Sequence, residues 1–328
     1  MAGSETTVEA AGRAVRLSSP DKVLFPDRGW TKLDVARHYL GCAEGVVRGV
    51  FHRPTSLKRW PSGVTEAFFF TTRAPGTITH SHPVRFPSAR PGVMPFVEDV
   101  ADIVEQVQLG VIDLNPWNAR IEDLDRPDEL RLDLDPTGGF DFDHCREVAA
   151  AARALLEEVG LRGWPKTSGS RGIHIYVRLR PDWDFYAVRR AGLAIARELE
   201  RRIDLATTAW WKEERVGVFI DYNQNARDKT IASAYSVRQT GLVSTPFRWD
   251  ELDTIDPAAM TLDAFPDRWA DVGDLTAGID DEAGDLTPVL DMVAADEEAG
   301  LGDAPWPPHY PKMPGEPPRV QPSKRKES

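Results

Sequence analysis

Residues 131–136 read Arg131-Leu132-Asp133-Leu134-Asp135-Pro136, and the alternation in them decides the fold class. In an extended strand, side chains at i and i+2 share a face. Leu132 and Leu134 therefore enter a core while Asp133 and Asp135 project together on the other side. Pro136 and then Gly138-Gly139 stop the strand. Downstream, Asp143 is placed to cap an alanine-rich helix that runs to Gly160, a natural residue beyond a helix C-terminus. Ile173-His174-Ile175-Tyr176-Val177 repeats the strand alternation, with His174 and Tyr176 on one face. Asp184 opens a second helix to Ile203, and Val216 to Ile220 makes a third strand ending at Asp221. Strand, helix, strand, helix, strand predicts an α/β layer architecture.

Upstream, Thr31 with Asp34 three residues on predicts a capped helix whose Leu33, Ala36, Tyr39 and Leu40 share a face. Residues 53–95 are rich in Pro, Gly, Thr and aromatics, the composition of strands joined by turns, with an apolar run at Ala67-Phe68-Phe69-Phe70. A further apolar run, Ile103 to Leu114, ends at Asn115-Pro116-Trp117. Residues 1–13 read as a frayed leader. The stretch from Ala304 holds eight prolines in 25 residues and reads as an extended or disordered tail, which divides the chain into a domain at 1–300 and a tail at 301–328.

The chain of 328 residues is 41% hydrophobic and 28% charged, an ordinary globular composition. No apolar run reaches the length of a membrane span, and no basic-then-apolar signal opens the chain, so no membrane partner and a cytoplasmic location are expected. Cys42 and Cys145 lie far apart with no CxxC or Cys/His pair, which excludes a disulfide framework and a structural zinc from the reading. The net charge of −12 is unevenly spread: residues 251–316 hold 17 acidic and two basic side chains, net −15, leaving about +3 for the rest. That balance is compatible with polyanion binding through part of the surface, and equally with an acidic, solubilising C-terminal third.

Asp133-Leu-Asp135 is the sharpest chemical feature. Two carboxylates on one face repel unless a cation lies between them, and oxygen-only donors suit Mg²⁺ or Mn²⁺. With Asp221 from a neighbouring strand they would make a two-metal site of the phosphoryl-transfer kind; an exposed strand end in an acidic protein would look the same. Thr167-Ser168-Gly169-Ser170-Arg171-Gly172 could form a backbone nest for an anion, or a flexible turn. Residues 221–230, with Asn223, Gln224, Asn225, Arg227 and Lys229, gather amides and cations suited to phosphates and a nucleobase. Lys58-Arg59-Trp60 with Phe68 to Phe70 interleaves cations with aromatics, as single-strand binders do, although such aromatics also build cores.

The set RLDLDP, SGSRGIHIYV and FIDYNQN, with DKT and AYSVR, strongly resembles the polymerase domain of the bacterial end-joining ligase D, in the archaeo-eukaryotic primase superfamily, from about Leu17 to Leu290. The resemblance implies a two-lobed primase-polymerase fold, α/β (α+β), with an RRM-like catalytic sheet. It implies a template-directed nucleotidyltransferase that takes NTP or dNTP, prefers ribonucleotides, uses manganese or magnesium, and acts at gapped or broken DNA ends. Metal ligation falls to Asp133, Asp135 and Asp221, which would be the catalytic residues. Nucleotide contacts fall to Ser168, Arg171, His174 and Arg238, joined by Gln224 and Lys229 from the polar loop. Lys22 and Lys32 would bind a DNA 5′-phosphate; Lys58 and Phe70 would contact the template. A nucleoid-associated protein, with a Ku-like protein and a separate DNA ligase as partners, follows from the same likeness.

There are departures. Asn115 stands where the family usually has histidine, Ser19 where it has asparagine, and Thr71-Thr72 where a lysine is common. No KxDG nucleotidyl-lysine motif occurs, so a stand-alone polymerase-like chain is expected. Two other readings remain open at this point: a DNA-end-binding module without catalysis, and a phosphatase in which Asp133-Leu-Asp135-Pro-Thr137 is a DxDxT motif with Asp133 as nucleophile.

Overall fold

The computed structural model describes residues 4–87 and 91–319. The first part of the chain opens with the antiparallel hairpin β1 (Glu5–Ala10) and β2 (Arg13–Ser18), followed by the short pair β3 (Val23–Phe25) and β4 (Trp30–Thr31). The leader is therefore not frayed: Ala10 and Val15 pack on Val100, Ala101 and Val104, enough apolar contact to hold a hairpin. Residues 1–3 lie outside the described residues. Helix α1 (Lys32–Gly41) starts where its capping box predicts, with the Thr31 hydroxyl accepting from Asp34 N and the Asp34 carboxylate accepting from Thr31 N.

Helix α2 (Ala43–Val50) follows, then β5 (Thr55–Arg59), β6 (Phe69–Thr71), the pair β7 (Ser81–Val84) and β8 (Gly92–Pro95), α3 (Val100–Gln108) and β9 (Val111–Pro116). The apolar run at 103–114 thus divides between a helix and a strand. β5 lies between β6 and β9 in an antiparallel sheet. One hydrophobic core, including Val35, Tyr39, Leu57, Ile103 and Leu114, belongs to this part.

The second part runs β10 (Glu129–Pro136), α4 (Phe142–Glu158), β11 (Trp164–Thr167), β12 (Ile173–Arg178), α5 (Phe185–Arg202), β13 (Ala206–Thr207) and β14 (Val218–Ile220). The sheet order is β11-β12-β10-β14-β13, antiparallel throughout except for the β13–β14 edge. This β-α-β-β-α-β circuit with β10 central is the RRM-like arrangement. β11 and β13 are additions to the three strands the sequence predicts.

Leu130, Leu132, Leu134, Ile173, Ile175 and Val177 face α4 and α5 in a second core. Each such side chain contributes about 1.5–3 kcal/mol on burial. The other face of β10 and β12 carries Glu129, Arg131, Asp133, Asp135, His174 and Tyr176, of which Asp135 is exposed and the rest are buried.

Two element boundaries differ from the sequence reading. Asp141 caps α4, its carboxylate accepting from Asp143 N at 3.1 Å, and Asp143 stands in the first turn. β14 starts at Val218 because Gly217 has φ +97°, outside extended geometry, and a Cβ there would meet Leu205 O at 2.2 Å.

The two parts are joined by buried charge. Arg131, fully buried, donates from Nε to Glu129 at 2.8 Å and from its two terminal nitrogens to Pro116 O and Trp117 O, each at 3.0 Å. The end of β9 is thereby pinned to the face of this sheet that carries Arg131. Beyond it come α6 (Phe265–Val272) and α7 (Thr287–Glu298), whose Val289 joins the second core. Residues 301–319 form no helix or strand; residues 320–328 of the tail lie outside the described residues. Among the described residues, no helix is long and apolar enough to cross a membrane.

Candidate active site

The carboxylates of β10 meet the end of β14. Asp221 N donates to Asp133 O at 2.9 Å, so the residue that ends β14 abuts the first aspartate of the central strand. Register pairs Asp133 with His174 on β12, and His174 Nε2 lies 3.3 Å from Asp133 Oδ1. Asp221 is fixed by its own loop: Oδ1 accepts from Asn223 N and Oδ2 from Gln224 Nε2, both at 3.0 Å.

Burial raises the pKa of Asp133 against the pull of Lys166 and Arg238. The charge of Asp133 raises that of Asp135 more than burial does, with Asp221 adding to it. Burial and Asp133 raise Asp221. The three carboxylates thus repel one another, the electrostatic demand that a divalent cation answers, and their all-oxygen chemistry fits Mg²⁺ or Mn²⁺. Among the described residues, no three His, Cys, Asp or Glu side chains stand close enough together to form a ready-made metal cage.

Behind His174 stands Lys166, buried, with Nζ 2.7 Å from His174 Nδ1 and 2.6 Å from Ser244 Oγ. The Ser244 hydroxyl donates to Thr167 O at 2.7 Å, so it must accept from Lys166, and Lys166 gives a further N–H to His174 Nδ1. With Lys166 as the donor, Nδ1 accepts and the imidazole proton sits on Nε2, facing Asp133. Burial, with Lys166 and Arg238 nearby, keeps His174 neutral by holding its pKa well below the usual value.

The turn at 167–172 lies against β10 because Gly172 has no side chain; a Cβ there would stand 2.3 Å from Leu134 O. The expected nest is filled from within, since Ser168 Oγ accepts from Ser170 N at 3.2 Å and Gly172 N at 3.0 Å. What the turn offers a ligand is the exposed Arg171, close enough to Asp135 to oppose the rise in its pKa. Arg238 Nη1 donates to Ser168 O at 3.0 Å, which brings the second guanidinium to the same turn. Lys229 lies near enough to Asp221 to lower its pKa.

From Arg238 the site continues into the first sheet. Asp113, buried on β9, lies 3.8 Å from Arg238 Nε and 3.5 Å from Lys58 Nζ. Lys58 sits over the rings of Phe68 and Trp60 at 4.6 and 4.9 Å and pairs in register with Phe70. Phe70 is 56% exposed and Phe69 46%, so these aromatics form a surface and not a core. Asn115 is buried beside them and donates to Asp113 O at 3.1 Å.

Lys22 and Lys32 are a separate pair. Lys32 N donates to Lys22 O at 2.8 Å, while Lys32 Nζ reaches Ser18 O at 2.8 Å and Lys22 Nζ contacts Pro61 O. Burial and the charge of Lys22 lower the Lys32 pKa, so the pair gains from an anion. If that anion is a DNA 5′-phosphate, each charge-assisted bond contributes on the order of 1.5–3 kcal/mol. Lys22→Ala should then erase any preference for 5′-phosphate over 5′-hydroxyl gapped DNA, measured by fluorescence anisotropy. Equal affinities of the unaltered protein for the two would rule the pocket out.

The sequence reading missed Asp113, Lys166, Ser244 and Arg215. Arg215 stacks on Phe219, and burial lowers its pKa against the opposing pull of Asp221 and Asp135. Asp113 carried a signal, since Asp113 and Asn115 alternate with Ile112 and Leu114 as strand residues do.

An RRM-like sheet with acidic residues on its open face and cations around them is the architecture of a nucleotidyltransferase. Residues 31–276 match the family model described as LigD, primase-polymerase domain. The multifunctional non-homologous end joining protein LigD of Mycolicibacterium smegmatis is 35% identical over 285 residues, covering 82% of this chain and 36% of that protein. Its Pseudomonas aeruginosa counterpart is 34% identical over 273 residues, 79% of this chain and 32% of that protein. The polymerase domain from Mycobacterium tuberculosis ligase D, solved in complex with DNA, superposes with a TM-score of 0.75 at 32% identity, covering 82% of this chain and 99% of that one.

The chain belongs to the LigD primase-polymerase domain family, whose members are metal-dependent, DNA-directed nucleotidyltransferases. It spans about a third of the length of the curated relatives just named. The DxDxT phosphatase reading falls with this: Asp133 and Asp135 lie in an antiparallel sheet, and the Thr137 hydroxyl is held by Gly217 O at 2.7 Å.

Proposed function

We propose that this chain extends a primer 3′ end on a templating strand at gapped or broken DNA carrying a 5′-phosphate, in end joining or short gap filling. The observation that supports this reading is that Asp133 and Asp135 share a strand face, Asp221 N bonds the Asp133 carbonyl, and the charges of these carboxylates raise one another's pKa, beside Arg171, His174 and Arg238. The three carboxylates would hold the divalent ions, which supply an activated 3′-hydroxyl and neutralise charge on the triphosphate. Arg171, Arg238 and the Ser168 hydroxyl grip the triphosphate, with His174 between it and Asp133. Gln224 and Lys229 hold the far side of the nucleotide. Lys58 and Phe70 support the template, and Lys22 and Lys32 the 5′-phosphate.

Ribonucleotide preference and manganese use are part of the proposal on the strength of the family resemblance, with Asn115 in place of the usual histidine. A Ku-like protein and a separate ligase would act with the chain at the nucleoid.

Primer extension on gapped DNA, with ribo- and deoxynucleotides and with Mn²⁺ or Mg²⁺, tests the reading. Gel shift without extension would make the chain an end-binding module. Arg238→Lys keeps the charge and loses the two-pronged guanidinium fork. Its nucleotide KM should rise about tenfold, equivalent to about 1.4 kcal/mol, with gapped-DNA affinity unchanged. Weaker DNA binding with an unaltered KM would move Arg238 to the DNA path.

A further inference from the structure

We propose that the C-terminal segment 303–310 is a strap that positions Asp221, which makes Arg189, Asn223 and Trp306 positioning residues of the active site. This deepens the reading of Asp221 as a metal-binding carboxylate and rests on it. The segment lies beyond the residues matched by the family model, 31–276.

The contacts form an unbroken line. Arg189 on α5 is fully buried, and its Nε donates to Asn223 Oδ1 at 2.9 Å. Its remaining nitrogens bind the strap: Nη1 pairs with Asp303, and Nη2 reaches Ala304 O at 2.9 Å and Pro305 O at 3.0 Å. Asn223 Nδ2 donates to the same Pro305 O at 3.0 Å. Both polar atoms of the Asn223 side chain are thus set by Arg189 and the strap, while its backbone N–H holds Asp221 Oδ1.

Trp306 anchors the strap. Its ring is 1% exposed, stacks on Tyr186 at 5.7 Å, lies under the Arg189 guanidinium at 4.4 Å, and donates from Nε1 to Asp303 at 2.8 Å. Further along, the Tyr310 hydroxyl donates to Arg227 O at 2.7 Å and His309 Nε2 meets Asp228 at 2.8 Å. The strap therefore grips both ends of the loop 222–229 that carries Gln224 and Lys229. A segment that merely covered α5 would have no reason to bond that loop twice. Partners that orient metal-binding carboxylates from behind typically contribute 10–100-fold to metal affinity or activity.

The test uses the full chain and reads Mn²⁺ binding from the free-ion EPR signal, alongside kcat, nucleotide KM, gapped-DNA affinity and melting temperature. Trp306→Ala should raise the Mn²⁺ Kd and lower kcat by about tenfold each, leaving KM and DNA affinity within about twofold, and Trp306→Phe should restore most of both. Asp221→Ala is the control. If it leaves Mn²⁺ affinity unchanged, the carboxylate reading itself fails. If it weakens Mn²⁺ binding while Trp306→Ala lowers only the melting temperature, the strap is a structural cover and the proposal is overturned. Should Trp306→Ala not fold, Asp303→Asn keeps the shape and removes one charge, with about a threefold rise in Mn²⁺ Kd expected. An unaltered Mn²⁺ Kd and kcat in Asp303→Asn would then overturn the proposal.

Discussion

Asp133→Ala is expected to lose nucleotide incorporation by about a hundredfold or more, the rate equivalent of roughly 3 kcal/mol, while gapped DNA still binds. The reason lies in what the residue touches. Asp133 faces His174 Nε2, accepts from Asp221 N through its backbone carbonyl, and by its charge raises the pKa of the other two carboxylates. Its loss removes charge that serves the chemical step, whereas DNA is held chiefly through phosphates by cations elsewhere. Asp221→Ala should behave alike. Single-turnover extension with anisotropy on the same gapped DNA gives both readouts, and near-full activity in either variant would remove the two-metal reading.

Arg131→Met should lower stability by about 3–5 kcal/mol, the effect of removing one partner from a buried ionic network. Glu129 would keep Arg178, 2.9 Å away, but Pro116 O and Trp117 O would lose the donors that tie β9 to β10. In urea the midpoint should fall with little change in slope, and a surface control such as Arg153→Ala should shift it by about 0.5 kcal/mol or less. The neighbouring Asp128 sets the acid behaviour of the same network. Burial pushes its pKa up, but Arg53, Arg178 and Arg120 outweigh this and hold it well below the usual carboxylate range. Its contribution is present above the unfolded-chain pKa of about 3.9 and is lost as pH falls toward the depressed value. A midpoint unchanged by Arg131→Met would show that the two sheets are held together by other contacts.

The catalytic sheet was legible because its information is local. Alternation in 131–136 and 173–177 assigns each side chain to a face, and an apolar run ending at Asp221 needs no partner to be recognised. Asp113 and Lys166 were harder, because a lone charged residue reads as solvated surface. Lys166 is buried because Ser244 and His174 come together around it, and Ser244 is 78 residues further along the chain. Arg189 resembles any helix arginine until residues 303–305 fold over it, and the prolines there suggest extension without saying where the segment docks. Composition left Phe68–Phe70 open between a binding surface and a core, and the sheet geometry shows that β6 turns Phe69 and Phe70 outward. The backbone nest was misjudged because the sequence does not show that Ser168 Oγ accepts the turn's own N–H groups, which leaves its hydroxyl proton as the donor.

β10 is hydrogen-bonded on both sides, to β12 and to β14, and lies at the centre of its sheet. In proteins generally, such strands open only with the whole molecule, while edges and loops open locally at far lower free energy. Asp133 and Asp135 are thus mounted on the part of the chain that yields last. Adjustment to DNA ends of different shape must then come from the periphery, where Phe68–Phe70 form an exposed edge. On the proposed function, the labour would be divided mechanically, with the carboxylates on an unyielding rail and the accommodation of irregular substrates left to the exposed aromatic edge.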